Sequence, residues 1–231
     1  MKHLIVPGAP PIEVKLRVSA RAKRLSLRVS QLDGSVSLTL PRRVPIREAQ
    51  AFLNERATWV RKHLATTPAP VRLRPGGEVL FAGRPHILVA SGGRAARLGD
   101  GVITLPLDAP DKTGARVAAL FKTLARDRLF EASQRYAAAL GREFTGLTLR
   151  DTRSRWGSCS PEGRLMYSWR LIMAPPAILK YVAAHEVAHL VEMNHSPAFW
   201  AHVGRLMPEY KTHRQWLRKN GAILHAYRFR D

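Results

Sequence analysis

Acidic residues are scarce in this chain. Asp and Glu number 17 against 38 Lys and Arg, leaving a formal net charge of +21 over 231 residues. Cysteine is scarcer still. Cys159 stands alone, so no internal disulfide can form. A single thiol suits a reducing compartment, and a cytoplasmic location is expected. No stretch of about 18 apolar residues occurs, so no membrane span is expected. The opening MKHLIVPGAPP lacks a long apolar run before Pro7, so no secretory signal is expected. The sequence shows no internal repeat and no low-complexity tract.

Hydrophobic residues make up 45% of the chain, enough to bury a core without covalent staples. The basic excess is spread evenly. Residues 1–110 carry 18 basic and 7 acidic side chains, and the remainder carries 20 and 10. A field of this sign attracts polyanions such as nucleic acid or nucleotides. The competing reading is an Arg- and Ala-rich composition with an ordinary solvated surface. Sequence alone does not show clustering in space.

VKLRVS, RLSLRVS and SVSLTL, within residues 14–40, alternate apolar and polar side chains as half-buried strands do. Asp33-Gly34 marks a hairpin and Pro41 a strand end. Helical spacing follows from Ile46 to Leu64, with Trp59 at the edge of the apolar face. Short strands are expected at Glu78–Phe81, Pro85–Ala90 and Val102–Leu105. Asp108–Asp111 reads as a lobe boundary. A long helix is expected from Thr113 to Leu140, stopped by Gly141. Strands near Leu147–Asp151 and Arg164–Leu171 flank RSRWGSCSPEGR, which is too rich in Gly, Ser and Pro for a regular element. Pro176 opens a helix expected to run to Met193, and two more follow at Pro197–Leu206 and Tyr210–Lys219. The expected class is α+β, with a β-rich lobe at 12–110 and a catalytic lobe at 111–225.

Residues 185–189 read HEVAH, the H-E-x-x-H pattern. Positions i and i+4 share a helix face, so His185 and His189 can hold one zinc ion. Glu186 is offset around the helix and can act as general base toward a zinc-bound water. A catalytic site needs a third ligand. His195 lies six residues after His189, the spacing of the zincins that continue the motif with a third histidine. Those proteins turn at a glycine where this chain has Glu192. Asn194 tolerates a left-handed backbone, so the reversal is expected at Met193–Asn194. This composition yields H-E-x-x-H by chance in roughly 1–2% of chains, and the third histidine in about 0.1%. The plainer alternatives are a helix with two surface histidines, or a structural zinc.

Three stretches carry a family resemblance: RSRWGSCSPEGRLMYSWRL (153–171), YVAAHEVAHLVEMNHSPAFW (181–200) and the region around MPEYK (207–211). They resemble the YgjP-like metallopeptidase domain family, related to the SprT-like and WLM metalloproteases, over roughly residues 15–220. The resemblance implies a zinc site of His185, His189 and His195 with Glu186 catalytic. It also implies a zincin-type core, a small sheet packed on the metal-bearing helix.

Other residues carry two readings each. Arg155 either positions a carboxylate or phosphate or belongs to a structural turn with Trp156 buried. Cys159 is a fourth or inhibitory ligand, or a small buried hydrophobe. Tyr210 and His213 stabilise an oxyanion or simply pack. The strand Arg164–Leu171 is a candidate edge for an extended peptide. The leading function is zinc-dependent peptide hydrolysis, with a DNA-associated protease as its variant. The alternatives are nucleotide phosphoanhydride hydrolysis, with Arg153 and Arg155 as clamps, and a non-catalytic nucleic-acid-binding module. No Gly-rich phosphate loop supports the nucleotide reading, and the intact Glu186 opposes the module.

Overall fold

The computed structural model describes residues 3–30, 34–107 and 110–230. Asp33 of the expected hairpin turn and Asp108 of the expected boundary lie outside them. The chain divides into two compact units, 1–70 and 71–231.

In the first unit the alternating segments form β1 (His3–Val6), β2 (Ile12–Ser19), β3 (Ser26–Val29) and β4 (Val36–Pro41). The sheet order is β1-β2-β4-β3. Val14, Leu16, Val36, Leu38 and Leu40 turn to one face and pack with Ala49, Leu53 and Val60 of the following helices. The single helix expected over 46–64 is two, α1 (Ile46–Glu55) and α2 (Ala57–Ala65). The chain departs from helical geometry at Arg56, with ψ near 5°. There the Arg56 N–H still bonds the Phe52 carbonyl, and the guanidinium lies over the Phe52 ring.

The second unit repeats that sheet topology before its helices. After the short β5 (Val71–Arg72) come β6 (Glu78–Phe81), β7 (Arg84–Ser91), β8 (Arg97–Leu98) and β9 (Val102–Pro106), ordered β6-β7-β9-β8. In both sheets the first pair is antiparallel, the second parallel and the third antiparallel. The sequences of the two copies do not reveal this, because alternation fixes only which side chains face the core.

The long helix α3 (Thr113–Ala139) follows, then β10 (Gly146–Arg150), β11 (Gly157–Cys159) and β12 (Arg164–Ser168). Gly141, at φ 62°, ends the helical run as expected. The strand expected to reach Leu171 instead gives way at Trp169 to a 3-10 turn over Trp169–Met173. The last elements are α4 (Pro176–Ala188), α5 (Pro197–Leu206), α6 (Tyr210–Ala226) and β13 (Tyr227–Arg228), which pairs in parallel with β5. No described helix is long and apolar enough to cross a membrane.

The expected lobe boundary near 110 is not where the units part. Val79, Phe81, Leu88, Ile103 and Leu105 of the second sheet share one core with Phe121 and Leu129 of α3 and with Ile178 and Val182 of α4. A cut at 110 would divide that core, so the division falls at Pro70.

The β6–β7 turn seats the metal-motif helix. Ala82 and Gly83 both have positive φ, 50° and 80°, the two-residue hairpin geometry. Their N–H groups donate to the carbonyls of Ile172 and Met173, both at 2.9 Å, just before α4. A Cβ on Gly83 would lie 2.9 Å from Pro175 Cγ and 3.1 Å from its Cα. Gly83→Ala is therefore expected to lower stability by roughly 1–3 kcal/mol, through the strained φ and the clash. Urea denaturation checks it; an unchanged midpoint would show that this contact does not seat α4.

Candidate metal centre

The helix α4 begins with Pro176 in its first turn, where the missing N–H has no helical partner. Nine of its 13 residues are buried, Glu186 among them. It ends at Ala188, five residues before the expected Met193, and His189 forms its C-cap. The N–H groups of Leu190, Val191 and Glu192 bond back to Val187 and Ala188 in tight turns. The reversal does not use a left-handed residue: Ala82 is the one non-glycine with positive φ among the described residues. Asn194 works through its side chain. Its amide donates to Glu192 Oε1 at 2.6 Å, and its Oδ1 accepts from the Ser196 N–H at 2.8 Å. Ser196 then caps α5 by accepting from the Phe199 N–H at 3.2 Å. These short-range bonds return His195 to the helix it left.

The outcome is a cluster of three imidazoles. One nitrogen from each of His185, His189 and His195 lies within 4.8 Å of the others. The Nε2 atoms of His185 and His195 are 3.2 Å apart, close to the roughly 3.3 Å expected between two nitrogens bound tetrahedrally to zinc at about 2.0–2.1 Å. His189 Nδ1 pairs with the Glu192 carbonyl at 3.0 Å, which leaves Nε2 available and orients the ring. Burial, then the charges of His189, His195 and Arg214, lower the His185 pKa to about 3. Burial likewise lowers that of His189. A neutral imidazole is the form that binds metal, so the donor set fits a transition-metal ion. Cys159 lies outside this cluster among the described residues. Burial and the nearby Glu186 charge raise its thiol to about 11.

Phe199, absent from the sequence-derived site, braces all three rings. Its centroid is 4.4 Å from that of His189 in a stacked arrangement, and 4.9 and 4.8 Å from those of His185 and His195. The H-S-x-x-F spacing carried that signal, but an aromatic at helical spacing reads first as core.

Glu186 is 5% exposed. Burial raises its pKa to about 8, against the opposing pull of Arg155. Gly157 explains how it fits. A Cβ there would lie 2.5 Å from Glu186 Oε1 and 2.6 Å from its Cγ, so only a glycine lets β11 approach the carboxylate. The segment expected to be irregular therefore contains a strand. Three residues show no periodicity; pairing of Gly157 with Tyr167 and of Cys159 with Leu165 defines it. Trp156 anchors this approach, with its ring 4.8 Å from His225 and against Gly221 of α6. The strand at 164–168 is not a sheet edge. It lies between β10 and β11, and β11 is the edge on the Glu186 side.

Tyr210 stacks on Trp200 at 5.2 Å, and Trp200 packs against the His185 and His195 rings. The His213 ring makes no hydrogen bond or ring contact among the described residues. Sequence reasoning also passed over Tyr181, 6.1 Å from the His185 ring, and Arg214. Arg214 lies 4.7 Å over Trp200, and its charge bears on His185 and Tyr181.

The family described as "YgjP-like, metallopeptidase domain" matches residues 23–220. Among solved structures, the chain is similar to the crystal structure of the metallopeptidase zymogen of Pyrococcus abyssi abylysin. The identity is 20% and the TM-score 0.36, over 39% of this chain and 93% of that one. No curated protein matches the chain.

The Gly157–Glu186 packing is testable apart from any activity. Gly157→Ala is expected to lower stability by roughly 1–3 kcal/mol, as overpacking of a filled site does. Ser158→Ala, one residue along, should stay within about 0.5 kcal/mol of the parent. Equal denaturation midpoints for Gly157→Ala and the parent would mean the carboxylate is not held against this strand.

Proposed function

The chain belongs to the YgjP-like metallopeptidase domain family, and we propose that it hydrolyses peptide bonds with a zinc ion held by His185, His189 and His195 and with Glu186 as general base. The observation that carries this reading is the meeting of three imidazole nitrogens within 4.8 Å beside a buried carboxylate on the same helix. The substrate class that follows from the family is protein or peptide.

Bound zinc supplies Lewis acidity, acidifying a water and polarising the scissile carbonyl. Glu186 accepts the water proton on its carboxylate and delivers it to the leaving amine nitrogen. A carboxylate whose proton affinity is raised by burial serves in both directions. Arg155 moderates that affinity with its opposing charge. Gly157, without a side chain, leaves the space against β11 that the carboxylate occupies. The free edge of β11 offers its backbone to an extended peptide, as sheet edges do. Tyr181 and Arg214 lie near His185, Tyr210 lies one ring further out on Trp200, and all three are candidate donors to the developing oxyanion.

Glu186→Gln is expected to keep its metal while lowering kcat/KM on casein roughly 10²–10⁴-fold. His195→Ala is expected to lose most of its metal, read by elemental analysis after gel filtration. Full occupancy in His195→Ala would remove that residue from the site. Phosphate release from nucleoside triphosphates that depends on Glu186, without casein cleavage, would replace peptide hydrolysis with phosphoanhydride hydrolysis.

A further inference from the structure

The even basic excess of the sequence becomes uneven in space. β5 and β13 pair in parallel with Arg72 opposite Arg228. Each strand continues into an Arg-apolar-Arg triplet, Arg72-Leu73-Arg74 and Arg228-Phe229-Arg230. Leu73 and Phe229 turn inward and are buried. The four arginines therefore alternate with buried apolar residues, and Arg72 and Arg228 face each other across the pair. Like charges opposite one another across strands destabilise the pairing. Among the described residues none of the four is in an ion pair.

These arginines line a cavity of about 460 Å³, together with Asp111, Lys112, Gly114 and Ala115 at the start of α3. A second cavity of about 250 Å³ shares Arg228, Phe229 and Arg230 and adds Lys122, Arg153 and the Arg170–Asp151 pair. Together they form one furrow along the first three turns of α3, walled by eight cationic side chains against two carboxylates. The chain as a whole carries about two basic residues for each acidic one, so the furrow is enriched beyond composition. One of its two carboxylates is already committed. Asp151 accepts from Arg170 at 2.6 and 3.1 Å, while Arg170 also donates to the carbonyls of Leu224 and Tyr227. Between Lys112 and Lys122 the floor presents Gly114, Ala115 and Ala118; the missing side chain at Gly114 admits the Phe229 backbone, whose oxygen would lie 2.8 Å from a Cβ there, and so seats the Arg228–Arg230 wall against α3. The N-terminus of α3, where the N-cap residue Lys112 makes no side-chain cap bond, adds partial positive charge to a field the side chains already set.

We propose that this furrow binds the phosphate backbone of a nucleic acid. Six of its eight cations are arginines, and apart from Arg170, whose fork is spent on Asp151 and two carbonyls, they offer a planar fork that matches phosphate oxygens. The distance from Lys112 to Lys122 along the helix is about 15 Å. At one phosphate per roughly 3.4 Å of strand, that is about four phosphates. The furrow is concave, which suits a strand and not a flat bilayer. Trp169 and Phe229 within it are buried, so bases have no aromatic face to stack on. Contacts to the backbone alone make binding indifferent to sequence.

The test is fluorescence anisotropy on the full chain with a labelled oligonucleotide of about 20 nucleotides, titrated at several salt concentrations. The furrow variant is Arg72→Gln, Arg74→Gln, Lys112→Gln and Arg230→Gln together, all exposed positions. Its charge-matched control is Lys23→Gln, Arg42→Gln, Arg43→Gln and Arg47→Gln, also exposed. The furrow variant is expected to bind at least about tenfold more weakly, with a salt slope lower by roughly three. The control should bind like the parent, and all three should keep the same melting temperature and metal content. Equal weakening in both variants would show net charge alone at work and overturn the proposal. So would parental binding by the furrow variant. Tighter furrow-dependent capture by phosphatidylserine vesicles would assign the furrow to a membrane surface. Thermal stabilisation by inorganic phosphate alone, equal to that by the oligonucleotide, would assign it to a small anion.

Discussion

The burial of α4 is the constraint on which the rest of the second unit depends. Its segment PAILKYVAAHEVA is apolar nearly all round, as a helix enclosed by protein must be. Ala183, Ala184 and Ala188 are fully enclosed, and such small side chains let neighbouring elements approach closely. Into that environment the helix carries a carboxylate and the two histidines of its motif. A charge taken out of water costs several kcal/mol unless it is paired or neutralised. Burial accordingly raises the proton affinity of Glu186 and lowers that of His185. The shift at His185 favours the neutral imidazole that binds metal, and the shift at Glu186 makes its carboxylate, when ionised, the stronger base. The polar groups stay in place because everything around them is packed: Phe199 behind the rings, Gly157 against the carboxylate, and the Ala82–Gly83 turn beneath the first turn of the helix.

Much of this was legible in the sequence, and the exceptions share a cause. Pro176, the apolar spacing and H-E-x-x-H located the motif helix, and the third histidine followed from its offset. Strands at 78–81 and 102–105 were legible because alternation is a local property. Asn194 was identified as the turning residue for the wrong reason. Its left-handed tolerance is an intrinsic preference, whereas its side chain bonds Glu192 and Ser196, which depends on the turn already being formed. Gly157 and β11 were missed because a three-residue strand exists only through its partner. The division at Pro70 was missed because the two sheets share topology without shared sequence, so both were read as one β-rich lobe.

The charge distribution shows the same dependence on tertiary pairing. Arg72 and Arg228 are 156 positions apart in sequence yet directly opposite in the β5–β13 register. Neither strand is identifiable alone at two residues. Composition supplied the sign of the field, and one short parallel pairing concentrated it.

The docking of the Ala82–Gly83 turn beneath α4 also sets how small a working fragment can be. A chain started at residue 111 would retain the three clustered imidazoles, the Glu186 carboxylate and the glycine beside it. It would lack the two N–H donors that satisfy Ile172 and Met173, and it would bare the apolar surface that Val79, Phe81, Leu88, Ile103 and Leu105 cover. Such a truncation carries the proposed site with Phe199 and Gly157 beside it but lacks the sheet and turn that α4 packs on. The compact unit that holds the histidines begins at residue 71, so dissection or transplantation of this centre has to carry the second sheet with it.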